Sequence, residues 1–323
     1  MTSDPPDVPE EMTRSRAKAA NLVHAALSLP QPRTNGSTIL VLSFVAFLLA
    51  SSGGTSLTDV GLIVGILLFH EGGHLVGMRL FGFSDLRMFF LPFVGAAVSG
   101  SKPGASAVEH AVVSLMGPVP GLLLALALSF ATEVGRYPDQ PLPVMAQLVL
   151  MLVLINGFNL LPILPLDGGR LFGDLLFART PALDVAFRLL AIAGLGWLAF
   201  HGFPILGVIA VVMLLGLRLQ AAQAFEAARL RNAYRFSPEV AALGDEELAA
   251  LHDAAERAMA HLRVSEPTRK KIWQQAVRAI FDRVAHSPAR WWQTLLLLLV
   301  WALALVIGLV ALAVLFWPTL QHR

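Results

Sequence analysis

The chain has 323 residues, of which 56% are hydrophobic and only 14% charged, with a mean hydropathy of +0.66. A soluble domain carries about 25% charged residues, so most of this chain must lie in lipid. The absence of cysteine excludes disulfides and thiolate metal sites, and a net charge of +2 gives no sign of a nucleic-acid partner.

Residues 1–36 are polar and carry Pro5, Pro6, Pro9, Pro30 and Pro32, the composition of a disordered tail. Apolar runs follow at about 38–54, 57–81, 110–131, 143–161, 185–200, 203–219 and 293–316. The first begins too late for an ordinary signal peptide and is read as an uncleaved anchor. A helix needs about 20 residues to cross a bilayer, so the fifth and sixth runs are short. They read as a tight hairpin turned at His201-Gly202-Phe203-Pro204. Trp291, Trp292 and Trp317 bracket the last run as interface anchors. The pattern predicts an all-α polytopic membrane protein with about seven transmembrane helices, six being the alternative.

With the N-terminus in the cytoplasm, the connecting loops place 22 of the 24 basic residues inside and only Arg136 and Arg323 outside. This orientation assigns 1–36 as a cytoplasmic tail, 37–219 as a membrane-embedded domain, 220–289 as a cytoplasmic segment and 290–317 as a last transmembrane helix. The segment 220–289, with the flanking Arg218 and Arg290, holds 12 of the 24 basic residues. Helical periodicity runs through Leu248, Leu251, Ala255 and Met259, and a second helix is predicted over Thr268 to Ala285. These helices form either a solvated linker or a surface for a cytoplasmic partner or the membrane.

The chemistry lies in the second run, at His70-Glu71-Gly72-Gly73-His74. Residues four apart on a helix sit one above the other, so two imidazoles there can share one zinc ion. Glu71 can then reach a metal-bound water. With 9 His and 11 Glu in the chain, such a motif arises by chance in roughly 1% of chains of this usage. Ionisable groups at membrane depth are rare and costly, which lowers that chance further.

Zinc on two histidines needs a third protein ligand and an open position. A metzincin would place a histidine at position 80, which is Leu80, and Glu109 and Glu133 lie at membrane borders without a companion motif. The better candidate closes the fourth run, Asn156-Gly157-Phe158-Asn159-Leu160-Leu161-Pro162-Ile163-Leu164-Pro165-Leu166-Asp167-Gly168-Gly169. Pro162 and Pro165 stop a regular helix, and backbone broken at this depth survives only where protein or water surrounds it. The second and fourth runs cross in the same direction, so His74 and Asp167 meet towards the inner face.

The paired motifs, His-Glu-Gly-Gly-His and Asn159 through Pro162 to Leu166-Asp167-Gly168, resemble the site-2 proteases, intramembrane zinc metalloproteases, over about residues 57–180. The resemblance implies one Zn2+ per chain held by His70, His74 and Asp167, with Glu71 as general base. Asn159 would hold substrate or stabilise the oxyanion, or else cap its broken helix. Gly117-Pro118 also resembles the family, but Val119-Pro120-Gly121 follows where the family has an asparagine. Asn156 is read as serving packing or helix-end hydrogen bonds. The segment Leu86–Ser101 resembles the family's membrane-associated β-hairpin, whose edge would pair with an unwound substrate; a buried interfacial loop is the alternative. The expected activity is hydrolysis of membrane-anchored regulatory proteins within or next to their transmembrane segments, near the cytoplasmic face of a bacterial inner membrane. A silent membrane scaffold and a metal transporter are weaker readings, because Glu71 and Asp167 are both present and the last three runs are nearly bare of polar groups.

Overall fold

A computed structural model of the chain describes residues 10–28, 56–91, 95–102, 104–132, 142–164, 166–177, 179–202, 204–285 and 287–321. The first apolar run, 38–54, lies outside them. Packing divides the chain into two units, one of Arg33–Leu175 with Pro288–Arg323 and the other of Met1–Pro32 with Leu176–Ser287.

The first of these units carries the sequence motifs. Helix α1 (Glu10–Ser28) belongs to the other unit; helix α2 (Leu57–Leu80) opens this one. Ser56 caps α2 by accepting from the Asp59 amide at 3.1 Å, and Asp59 in the first turn and Arg79 in the last complement the helix dipole. Strands β1 (Ser84–Leu91) and β2 (Gly95–Ser101) then pair antiparallel, Arg87 opposite Ser99 and Met88 opposite Val98. The expected hairpin is therefore present, with its tip outside the described residues.

The third run keeps the length and apolar character of one span, Ala107–Ser129, but not as a single helix. It forms two helices, α3 (Ala107–Met116) and α4 (Pro118–Ser129), meeting at Gly117. The reason is Pro118, which lacks an N–H and crowds the carbonyl one turn back. Helix α5 (Val144–Asn159) has 16 residues and ends before Pro162, and the short α6 (Asp167–Phe172) begins on the candidate aspartate. The last helix of the unit, α11 (Trp291–Gln321), packs on α4 and α5. Its Trp301 indole donates to the Leu160 carbonyl at 2.7 Å and stacks edge-on against Phe172 at 5.0 Å between ring centroids.

The second unit holds α1, α7 (Pro181–Phe200), α8 (Pro204–Ala233), α9 (Asp245–Met259) and α10 (Glu266–Ala285). Helix α7 is 20 residues long, four more than the run read from hydropathy, and turns into α8 through Gly202 at φ +107. Helix α8 continues without a break past position 219, because its apolar half runs into Ala, Arg, Gln and Glu, all strong helix formers. Helices α9 and α10 lie where the periodicity predicted. Within the segment read as a polar tail, α1 is helical and buries Ala20, Val23 and Ala26 against Leu251, Met259, Val277 and Ile280. Those three side chains recur at a spacing of three and, with Leu27 packed beside them, form an apolar stripe that a composition average conceals.

Among the described residues, five helices are long and apolar enough to cross a membrane: Leu57–Leu80, Ala107–Ser129 with its break, Pro181–Phe200, Leu206–Ala233 and Trp291–Trp317. Helix α5 is apolar but shorter; at 1.5 Å per residue it reaches only about 24 Å. The chain is an integral membrane protein by this count, and the expected seven helices are not all among those five.

Candidate metal centre

Two glycines in the middle of a helix cost it about 1 kcal/mol each relative to alanine, so α2 tolerates Gly72-Gly73 only because packing repays the loss. The structure gives the reason for one of them. A Cβ on Gly73 would collide with the Met116 carbonyl at the end of α3, and one on Gly117 would collide with the His74 ring. Helix α2 and the α3–α4 junction therefore touch backbone to backbone, and His74 lies against that junction. The face of α2 turned to this contact carries His70, Glu71 and His74, which are 2%, 7% and 5% exposed.

Asp167 is brought to the same place from the far side of the sequence. Its Oδ2 lies 3.0 Å from His70 Nε2 and 3.2 Å from His74 Nε2, and the two Nε2 atoms are themselves 3.2 Å apart. The three groups are almost fully buried. One carboxylate oxygen of Glu71 lies within 4.8 Å of a ring nitrogen of each histidine.

The remaining ring nitrogens decide the tautomers. His74 Nδ1 donates to the Val113 carbonyl at 2.8 Å, and His70 Nδ1 lies 2.9 Å from Asn156 Oδ1. Carbonyl oxygens only accept, so both Nδ1 atoms carry a proton, which leaves the two Nε2 atoms, both turned to Asp167, as the nitrogens that would ligate an ion. Two imidazole nitrogens and a carboxylate oxygen converging in a buried site are a donor set that a single divalent cation would satisfy. Ligands on a tetrahedral zinc with bonds of about 2.0–2.1 Å lie roughly 3.3 Å from one another, close to the separations found here. A His, His, Asp set with fixed tautomers fits zinc.

Asn159 is not brought into this cluster by its hydrogen bonding. It is half-buried, and its amide donates to the Ile155 carbonyl at 3.0 Å, one turn back in α5. Asn156, read from the sequence as a packing or helix-end residue, is the one that reaches a ligand. No signal in the chain marks it, because its partner is 86 positions away. Glu109 has a structural place, closing a capping box with Ser106 at the start of α3 and pairing with Lys102.

No family model matches the chain. A zinc metalloprotease of Methanocaldococcus jannaschii is 25% identical over 144 residues, 42% of each chain. Stage IV sporulation protein FB of Bacillus subtilis is 32% identical over 124 residues, 38% of this chain and 42% of the relative. A protein of Synechocystis sp. is 33% identical over 160 residues, 46% of this chain and 40% of the relative. The chain thus spans less than half the length of each relative.

Proposed function

We propose, for a chain that is related to the site-2 proteases, that it is an intramembrane zinc metalloprotease. It would hydrolyse peptide bonds within or next to transmembrane segments of membrane-anchored regulatory proteins, near the cytoplasmic face. The observation that carries this reading is the convergence of His70, His74 and Asp167 to within 3.0–3.2 Å beside the buried Glu71.

His70 Nε2, His74 Nε2 and Asp167 Oδ2 would hold the ion. When bound, zinc lowers the pKa of water towards about 7 and polarises a carbonyl. Glu71, one position along the helix from a ligand, takes the proton of the attacking water and delivers it to the leaving amine. Burial of Glu71 excludes bulk water from that proton path. Asn159 is an uncharged donor at the end of α5, and exchanging its bond to Ile155 for the substrate oxygen would stabilise developing negative charge. The hairpin of β1 and β2 offers a strand edge to a substrate segment that has left its helix. The excess of basic residues on the loops assigned to the inside supports a cytoplasmic N-terminus in a bacterial inner membrane.

The test is cleavage of a panel of single-span proteins by the detergent-purified chain. Cleavage that a chelator abolishes and added zinc restores is the expected result; cleavage indifferent to the chelator would refute the zinc mechanism.

A further inference from the structure

Asn156 has no exposed surface, and a buried amide must find partners for both its ends. Its Nδ2 donates to the Leu152 carbonyl at 2.7 Å, which fixes which end of the amide is which. Its Oδ1 is thereby turned to His70 Nδ1, 2.9 Å away. An amide oxygen accepts only, so His70 is held with a proton on Nδ1 and with Nε2, the nitrogen that would ligate, turned to Asp167. His74 is set by a backbone carbonyl, so Asn156 is the side chain through which the sequence controls ligand orientation.

A second observation bears on the same residue. A Cβ placed on Gly121 of α4 would lie 2.6 Å from both Cγ and Oδ1 of Asn156. The amide occupies the space that glycine leaves open, so two helices cooperate in placing it.

We propose that Asn156 is a positioning residue of the metal centre, seated against Gly121, holding His70 in the tautomer and rotation that ligation requires. The proposal rests on the metalloprotease reading. An amide orients the ring without adding a third carboxylate to a site that already holds Asp167 and Glu71. Groups in this position change metal affinity by about 10–100-fold when removed.

Cobalt titration of the full-length chain in detergent, followed by the visible bands of bound Co2+, tests it. Asn156→Leu is expected to weaken binding about 10–100-fold and to shift the bands. Asn156→Asp keeps the acceptor for His70 but loses the donor to Leu152, and is expected to retain more affinity than Asn156→Leu. Gly121→Ala leaves the amide present but displaced, and is expected to weaken binding as well. A folded Asn156→Leu chain with wild-type affinity and unchanged bands would overturn the proposal. If Asn156→Leu does not fold, Gly121→Ala decides in the same terms; failure of both to fold overturns it, because the amide is then a packing group. A wild-type chain that binds no cobalt removes the metal reading itself, whereas unchanged variants on a cobalt-binding wild type remove only the role of Asn156.

Discussion

Gly117 and Gly72 lie close to the same histidines yet carry opposite expectations. A Cβ on Gly117 would stand 2.5 Å from His74 Cε1, whereas one on Gly72 meets nothing within 4 Å. Gly117→Ala is therefore expected to lower zinc retention at least tenfold, read as metal content after dialysis against a chelator. Gly72→Ala should raise thermal stability by up to about 1 kcal/mol through helix propensity alone. An unchanged metal content in Gly117→Ala would show that the junction yields. At this scale the sequence was most informative for His70, Glu71, His74 and Asp167, because metal chemistry restricts residue type and spacing. It assigned Asn156 only packing or helix-end hydrogen bonds and nothing to Val113, because the contacts of both with the histidines arise only where distant helices meet.

Helices were legible wherever hydropathy sets them, and their ends were not. Pro118 splits the third run, and α8 outlasts its apolar half because nothing in Leu219 to Ala233 stops a helix. Helix α1 escaped notice since three small apolar side chains do little to the average of a polar segment. The last helix had no assigned role in the sequence, yet its Trp301 supplies the donor for the Leu160 carbonyl where α5 breaks off. A freed carbonyl at membrane depth needs such a partner. Trp301→Phe keeps the ring against Phe172 and removes the donor, and is expected to cost about 1–3 kcal/mol. Thermal unfolding in detergent reads that loss, and an unchanged midpoint would mean that another donor serves Leu160.

For the whole molecule, the proposed orientation rests on 22 basic residues against 2, and the absence of cysteine makes it directly testable. A cysteine introduced at Glu239 should react with an impermeant thiol reagent only from the cytoplasmic side, and one at Arg136 only from the opposite side. The reverse pattern would invert the assignment and move the proposed cleavage to the other face. Two packing units and the motif-bearing helices are in place irrespective of that outcome. The central claim is that Glu71 acts on the proton of the attacking water and does not hold the metal. The measurement that meets it most directly compares wild type and Glu71→Gln for both zinc content and cleavage of a single-span substrate. Equal zinc in the two proteins and a loss of about 10²–10⁴-fold in cleavage rate for the variant are expected. Cleavage at the wild-type rate, or loss of zinc together with activity, would contradict it.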